Sequence, residues 1–181
     1  MTSWQHEAEF SAFVAARAAG LCRTAFLLTG DWHAAEDLTQ ATFARLVPVW
    51  PRLQRRDELD GYARTTLTRL FLDERRRRRW TERSLPASDP LDLPADIAPA
   101  DLADDRVDLM EALSRLTLDQ RTAVVLRFWD DLSVETVAAV MGRPTGTVKT
   151  LTARGLAQLR RILEPEGAPG SLAPLSPPEV R

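Results

Sequence analysis

The chain has 181 residues, of which 44% are hydrophobic and 28% are charged, so we expect one or two packed globular domains. No segment approaches the roughly 18 apolar residues of a membrane-spanning helix, and the N-terminus carries acids rather than the basic start of a secretory signal. We therefore expect no membrane association and a cytoplasmic location. The single cysteine, Cys22, excludes an internal disulfide, and His6 and His33 are too few for a metal cluster, so no metal or cofactor is expected.

The formal net charge is −2, but the charges are segregated along the chain. Between Arg52 and Arg83 there are eleven arginines and six acidic residues, a local net charge of +5, whereas residues 81–108 hold eight acidic residues and two arginines. Local charge, more than overall charge, determines whether a surface attracts a polyanion. The basic segment therefore predicts binding to a nucleic acid, and an arginine-rich disordered tail is the alternative.

Two helices are predicted before residue 50. The first spans residues 7–29, where mostly apolar residues recur at helical spacing until Gly30 ends the helix. Asp31 is placed to cap a second helix over residues 33–47. One side of this second helix is apolar, and the outer side is acidic and flat. The outer face of the second helix consists of Glu36, Asp37, Gln40 and Ala44. A solvated surface helix has the same pattern, so the pattern alone assigns no partner.

A third, basic helix is predicted from residue 59 to residue 79, after Trp50 and Pro51 interrupt the helical pattern. Its inner side is predicted to hold Leu59, Tyr62, Ala63, Thr66 and Leu70. Its opposite side is predicted to hold Arg64, Thr68 and Arg75. Three aromatic residues beside the arginines could stack on unpaired bases, although each also suits a core position. These aromatic residues are Trp50, Tyr62 and Trp80.

Residues 81–105 are predicted to form an extended acidic linker, because four prolines, the lack of glycine and repeated acidic residues oppose packing. The linker is either a passive tether or a charged segment that occupies the basic surfaces of the free protein. Residues 165–181 are rich in proline, glycine and serine and are predicted to be disordered.

A helix-turn-helix is predicted over residues 133–163. Ser133 suits the N-cap of its first helix, Gly142 suits the left-handed backbone that ends this helix, and Pro144 can begin the next one. Two preceding helices are predicted to support the motif. One starts near residue 106, and the other follows the capping box Thr117-x-x-Gln120.

The second helix of this motif is basic on one side only. Its inner positions are Val148, Leu151, Thr152, Gly155, Leu156, Leu159 and Ile162. Its outer positions are Gly146, Lys149, Thr150, Ala153, Arg154, Ala157, Arg160 and Arg161. Small residues let a helix enter the major groove while longer cationic side chains reach bases and phosphates, so the pattern predicts a recognition helix. A basic amphipathic helix in an ordinary bundle is the alternative.

The order and spacing of these motifs resemble those of bacterial RNA polymerase sigma factors of the extracytoplasmic-function (ECF) group, in the actinobacterial sigma-E-like branch. The segments that carry the resemblance are LLTGD, AEDLTQ, WPRL, VVLRFWDDLS and GTVK followed by RGLAQLR. The resemblance implies an all-α fold with two small helical domains, residues 7–80 and residues 106–164, joined by the acidic linker. The second domain would contain the helix-turn-helix. Leu151 replaces an arginine common in relatives, so no base preference is transferred.

The resemblance also implies three interfaces. A contact with the clamp helices of core polymerase is implied for Glu36, Asp37, Gln40 and Ala44. Contacts with the minus-ten promoter element are implied for Arg52, Arg55, Arg56, Arg64, Thr68, Arg75, Arg76 and Trp80. Contacts with the minus-thirty-five element are implied for Arg143, Thr145, Thr147, Lys149, Thr150, Ala153, Arg154 and Arg161. The partners implied are the polymerase clamp helices and flap, promoter DNA and, by analogy with relatives, an anti-sigma factor.

Two other classes of function fit the sequence less well. A stand-alone helix-turn-helix regulator, with a sensing or dimerising N-terminal module, leaves the acidic face beside an arginine-rich helix unexplained. An enzyme acting on nucleic acid would need a nucleophile with its base, a metal cluster or a glycine-rich phosphate loop, and the sequence has none of these signatures. A promoter-specificity subunit accounts for both basic regions.

Overall fold

A computed structural model describes residues 3–53, 56–81 and 103–163, and this part of the chain is helical without a β-strand. The predicted linker and the predicted disordered tail lie outside the described residues, apart from the linker's two ends. A 3-10 turn over Val47–Arg52 follows the second helix, and a π-helical turn over Val125–Trp129 follows the fifth. The described residues form seven α-helices: α1 (Ser3–Thr29), α2 (Trp32–Leu46), α3 (Arg56–Thr81), α4 (Ala103–Ser114), α5 (Leu118–Val124), α6 (Val134–Met141) and α7 (Thr145–Leu163).

Helices α1, α2 and α3 form the first helical group. Gly30 ends α1 with a φ of 75°, and the Asp31 side chain then accepts a hydrogen bond from the Ala34 backbone N–H at 2.7 Å, which confirms the predicted stop and cap. The group has a buried apolar core. It is formed by Leu28, Ala35, Leu46, Ala63, Leu67 and Phe71.

Helices α4 to α7 form the second helical group. Thr117 and Gln120 make both hydrogen bonds of the predicted capping box at the start of α5. Ser133 accepts from the Thr136 N–H at 3.1 Å at the start of α6, and Gly142 ends that helix with a φ of 62°. The helix-turn-helix is therefore confirmed, with the two helices α6 and α7 in direct contact.

The two groups pack against each other. One apolar cluster joins Leu21 and Leu28 of α1 with Leu116, Val124 and Val125 of the second group. Helix α3 also packs against α6, and α1 packs against the π-helical turn. The sequence predicted two domains but gave no sign of this contact, which determines how much of α3 is exposed.

The predicted faces of α3 are partly wrong. Tyr62 was predicted to be an inner residue but is 42% exposed, and the inner positions lie at Leu59, Ala63, Leu67 and Phe71. Thr68 was predicted to point outward but is fully buried, and its Oγ1 donates to the Arg64 backbone carbonyl at 2.9 Å. The predicted faces assume that α3 has one buried side. In the structure, α3 is covered on one side by α1 and α2 and on another side by α6.

Several helix limits also differ from the predictions. Helix α1 begins at Ser3, α3 begins at Arg56, and α4 begins at Ala103, each earlier than predicted. In all three cases the first turn holds mostly polar residues, so the apolar pattern starts only after the helix has begun. The supporting helix that follows the capping box ends in the π-helical turn, where Phe128 is 60% exposed.

Helix α1 is long and apolar enough, over His6–Thr29, to cross a membrane by length and composition alone. In this fold the same apolar residues, Leu21, Ala25 and Leu28, form the core between the two helical groups. A core helix passes the same test, so this feature is weak evidence for a membrane span.

Candidate nucleic-acid and partner interfaces

The outer face of α7 is open to solvent. All eight residues predicted for the minus-thirty-five contact are exposed: Arg143, Thr145, Thr147, Lys149, Thr150, Ala153, Arg154 and Arg161. Opposite them, Val148 and Leu159 are buried and hold the helix on the second group. The side chain of Arg143 contacts Asp119 at 2.9 Å, both partly exposed, so this cation is paired at the edge of the face.

Gly155 lets α7 approach α5 closely. A Cβ at this position would lie 2.7 Å from Val124 Cγ2 and 3.5 Å from Gln120 Cβ. Since real Cβ contacts are longer than 3 Å, only glycine fits without a shift of the helices. The close packing fixes the orientation of the outer face, which a recognition helix needs in order to read base edges.

The residues predicted for the minus-ten contact differ in how far they are exposed. Arg52 and Arg76 are exposed, and Arg64 and Arg75 are half-buried. Thr68 is buried and reaches no surface in this arrangement. Arg55 lies outside the described residues, and Arg56 and Trp80 lie in α3 without a described side chain. The structure therefore places Arg52 in the 3-10 turn and Arg64, Arg75 and Arg76 in α3, and of these four only Arg52 and Arg76 are fully exposed.

Trp50 is a core residue. Its ring lies 5.0 Å from the Phe10 ring in an edge-to-face contact and 5.1 Å from the Phe13 ring, and the side chain is buried. The core alternative therefore holds for Trp50, because a base cannot reach its faces. Of the aromatic residues considered for base stacking whose side chains are described, Trp50 is buried and Tyr62 is exposed.

The outer face of α2 has the predicted orientation. Asp37, Gln40 and Ala44 are exposed and Glu36 is half-buried, while Ala35, Leu38 and Leu46 on the other side are buried. A substitution at the exposed positions removes side chains without opening the core. The face is therefore a surface on which a binding role can be tested separately from folding.

The polar contacts between the two helical groups had not been predicted from the sequence. Asp130 Oδ1 accepts a hydrogen bond from Thr24 Oγ1 at 2.9 Å and from Arg64 Nη1 at 3.1 Å, and the Asp130 backbone carbonyl accepts from Arg64 Nη1 at 3.0 Å. Arg121 Nε donates to the Leu27 carbonyl at 2.7 Å. Nothing local marks these residues, because each partner belongs to a different helical group.

Burial has the largest effect on the pKa values of the charged groups at this contact. It raises the pKa of Asp130 from its ordinary value, although the hydrogen bond from Thr24 and the charge of Arg64 act in the opposite direction. Burial, assisted by repulsion from Arg75, lowers the pKa of Arg121 to about 10. Arg121 remains protonated at neutral pH, and its charge lies at the C-terminus of α1, where the helix dipole is negative.

Comparison with known proteins identifies the family. Residues 6–81 match the family model described as Sigma-70 region 2, and residues 106–159 match the model described as Sigma-70, region 4. The chain belongs to the sigma-70 family of RNA polymerase sigma factors. The two matched segments correspond to the first and second helical groups of this sigma factor.

Its relatives place it in the ECF group. It is 36% identical over 155 residues to the RNA polymerase sigma-E factor of Streptomyces coelicolor, with 86% of each chain covered. It is 39% identical over 146 residues to the ECF sigma factor SigE of Mycolicibacterium smegmatis, with 78% of this chain and 56% of the relative covered. The predicted resemblance to an actinobacterial sigma-E-like factor is thereby confirmed.

A solved structure is similar to the fold as a whole. The sigma factor RpoE of Bartonella quintana, in complex with the anti-sigma factor NepR, matches with a TM-score of 0.70 and 26% identity, covering 87% of this chain and 98% of that chain. A chain of the PhyRSL–NepR complex from Sphingomonas sp. Fr1 matches with a TM-score of 0.58 and 20% identity, covering 96% of this chain and 97% of that chain, and this likeness concerns the fold alone.

Proposed function

We propose that this sigma factor binds core RNA polymerase through the outer face of α2 and directs it to promoters with two DNA elements. The observation that carries the proposal is the pair of solvent-facing surfaces on separate helical groups, the acidic face of α2 and the cationic face of α7. The accessible arginines of α3 supply a third surface for the minus-ten element. The protein acts in the cytoplasm, where polymerase and promoters are found.

The α7 face fits duplex DNA. It combines the short side chains of Thr150 and Ala153 with the cations Lys149 and Arg154, all exposed. Short side chains allow the helix backbone to enter the major groove, and the cations neutralise phosphates or bind guanine. We assign this face to the minus-thirty-five element.

An anti-sigma factor is a further proposed partner. A similar sigma factor, RpoE of Bartonella quintana, is found in complex with the anti-sigma factor NepR. We extend this kind of partner to the present chain on the basis of the fold that the two proteins share over both helical groups.

The polymerase contact is tested by the double substitution of Asp37→Ala with Gln40→Ala. Both side chains are exposed on α2, so their removal should leave the free energy of unfolding nearly unchanged and weaken binding to core polymerase. We expect a loss of about thirtyfold or more in affinity for side chains at the centre of the interface, since hot-spot truncations cost about 2 kcal/mol or more. Fluorescence anisotropy of labelled sigma factor titrated with core polymerase measures this affinity.

The matched control is Arg45→Ala, which is exposed on α2 but lies outside the Glu36–Ala44 face. Its affinity for core polymerase should equal that of the wild type. Wild-type affinity in a folded Asp37→Ala, Gln40→Ala variant would show that α2 does not bind polymerase through this face.

A further inference from the structure

Thr150 lies on the outer face of α7, between two cations. Successive residues of an α-helix are about 100° apart, so Lys149 and Arg154 lie on opposite sides of Thr150 around the helix. All three residues are exposed. One turn before Thr150, Gly146 has no side chain, and a Cβ there would meet nothing within 4 Å. The described neighbours of Thr150 therefore leave room for a base edge beside it.

The hydroxyl proton of Thr150 is already used within the helix. Thr150 Oγ1 donates a hydrogen bond to the Gly146 backbone carbonyl at 3.0 Å. A hydroxyl has a single proton, so while this bond is kept Thr150 cannot donate to the acceptor atoms of guanine, adenine or thymine. The bond to the preceding turn also fixes the χ1 angle of this β-branched side chain. The groups that remain for contact in the groove are the γ-methyl and an acceptor lone pair of the hydroxyl oxygen.

We propose that the γ-methyl of Thr150 contacts the C5-methyl group of a thymine in the minus-thirty-five element, so that Thr150 sets a preference for thymine at that position. The inference rests on the proposed function, since it assigns a base to the α7 face. In the major groove thymine is distinguished by its methyl group, and the methyl groups of threonine and alanine are suitable partners for it. Ala153 is exposed three residues after Thr150 and places a second methyl beside the first.

A methyl contact supplies a preference that the cations of this face do not supply. Lys149 and Arg154 can bind phosphates, which are the same in every sequence, or guanine, which has no methyl group. Removing one methyl group from water raises affinity by a factor of about four. A factor of this size can be measured with two DNA duplexes that differ only in one methyl group.

Replacement of thymine by uracil in duplex DNA provides the test, because it removes the C5-methyl and leaves the hydrogen-bonding groups of the base unchanged. Duplexes that the holoenzyme binds are first selected from a library of randomised sequence. A selected duplex is then prepared with uracil at random, sparse thymine positions. Bound duplexes are separated from free ones, and their strands are cleaved at uracil. A thymine whose methyl group is contacted appears as a uracil position that is depleted from the bound fraction.

Two substitutions separate the methyl group of Thr150 from its hydroxyl. Thr150→Ser keeps the hydroxyl and removes the methyl, whereas Thr150→Val keeps the methyl and removes the hydroxyl at nearly constant volume. In the wild type and in Thr150→Val, we expect uracil to be depleted about fourfold at a thymine of the minus-thirty-five element. In Thr150→Ser we expect no depletion at that position. Thymines of the minus-ten element serve as the internal control and should behave alike in all three proteins.

Depletion that persists in Thr150→Ser overturns the inference, because another residue would then contact the methyl group. Loss of the depletion in Thr150→Val also overturns it, because the hydroxyl would then be required. Thr150 is exposed, so both variants should fold, and a cooperative thermal transition by circular dichroism checks this. A selected minus-thirty-five element without a uracil-sensitive thymine overturns this inference and leaves the proposed function intact. Failure to select any shared upstream element contradicts the proposed function, and this inference with it.

Discussion

Gly155 allows α5 and α7 of the second helical group to pack closely. Gly155→Ala would bring a Cβ to within 2.7 Å of Val124 Cγ2, so α5 and α7 must move apart. Overpacking costs about 1–3 kcal/mol, and alanine returns up to about 1 kcal/mol in helix propensity. We expect the free energy of unfolding in urea to fall by about 1 kcal/mol.

Gly20→Ala is the matched control for this prediction. Gly20 lies within α1, and a Cβ there meets nothing within 4 Å. The same substitution should therefore raise the free energy of unfolding by about 0.5–1 kcal/mol. A rise in stability at both positions would mean that α5 and α7 are not held at the observed distance.

The raised pKa of Asp130 predicts that the free energy of unfolding depends on pH. Because burial raises its pKa in the folded state, the folded state favours the protonated acid. The resulting stabilisation is fully present below the unfolded-state pKa of about 3.9 and is lost as the pH rises through the folded-state pKa. The free energy of unfolding of the wild type, minus that of Asp130→Asn, should therefore decrease from pH 4 to pH 7. A difference that stays constant across this range would contradict the pKa shift.

Whether a contact of a single residue could be predicted depends on how far apart its two partners lie along the chain. The caps at Asp31, Ser133 and Gly142 were predictable, because each depends on residues within a few positions along the chain. The bond between Thr24 and Asp130 joins residues 106 positions apart, and neither residue carries a local signal for it. Helix caps can be deduced from one sequence, whereas a polar contact between two helical groups cannot.

At the scale of elements, α7 was predicted more accurately than α3. Helix α7 is buried on one side only, so its hydrophobic period gives both faces correctly, with Val148 and Leu159 inside and Lys149 and Arg154 outside. Helix α3 is covered on two sides, and its fully buried Thr68 is polar. A prediction from hydrophobic periodicity assigns polar residues to the solvent-facing side of a helix, and it therefore misplaces Thr68.

Substitution of Arg154 on the α7 face has different expected effects on DNA binding for a phosphate contact and for a base contact. If Arg154 binds a phosphate, Arg154→Ala should weaken binding to all duplex sequences and reduce the slope of log K against log salt by about 0.9. If it binds a base edge, the substitution should cost about 1–3 kcal/mol and relax the preference at one position. Binding of the holoenzyme to minus-thirty-five duplexes at several salt concentrations distinguishes these results. No change in affinity, slope or preference would show that this face does not read DNA.

At the scale of the whole molecule, two helical groups and their family were predictable, but their mutual packing was not. Each group has its own hydrophobic periods and turn signals along the chain. The apolar residues at the contact, such as Leu21 and Val125, belong to the same periods as the interior of each group. The pattern therefore gives no sign that they pack against the other group.

Transcription directed by the reconstituted holoenzyme tests the central claim most directly. Core polymerase, with and without this sigma factor, is supplied with a library of DNA fragments from the source genome, and the transcripts are sequenced. We predict transcripts that require the sigma factor and begin downstream of two shared DNA elements at a fixed spacing. Transcripts no different from those of core polymerase alone, with the free protein protecting a specific DNA site unaided, would contradict the account.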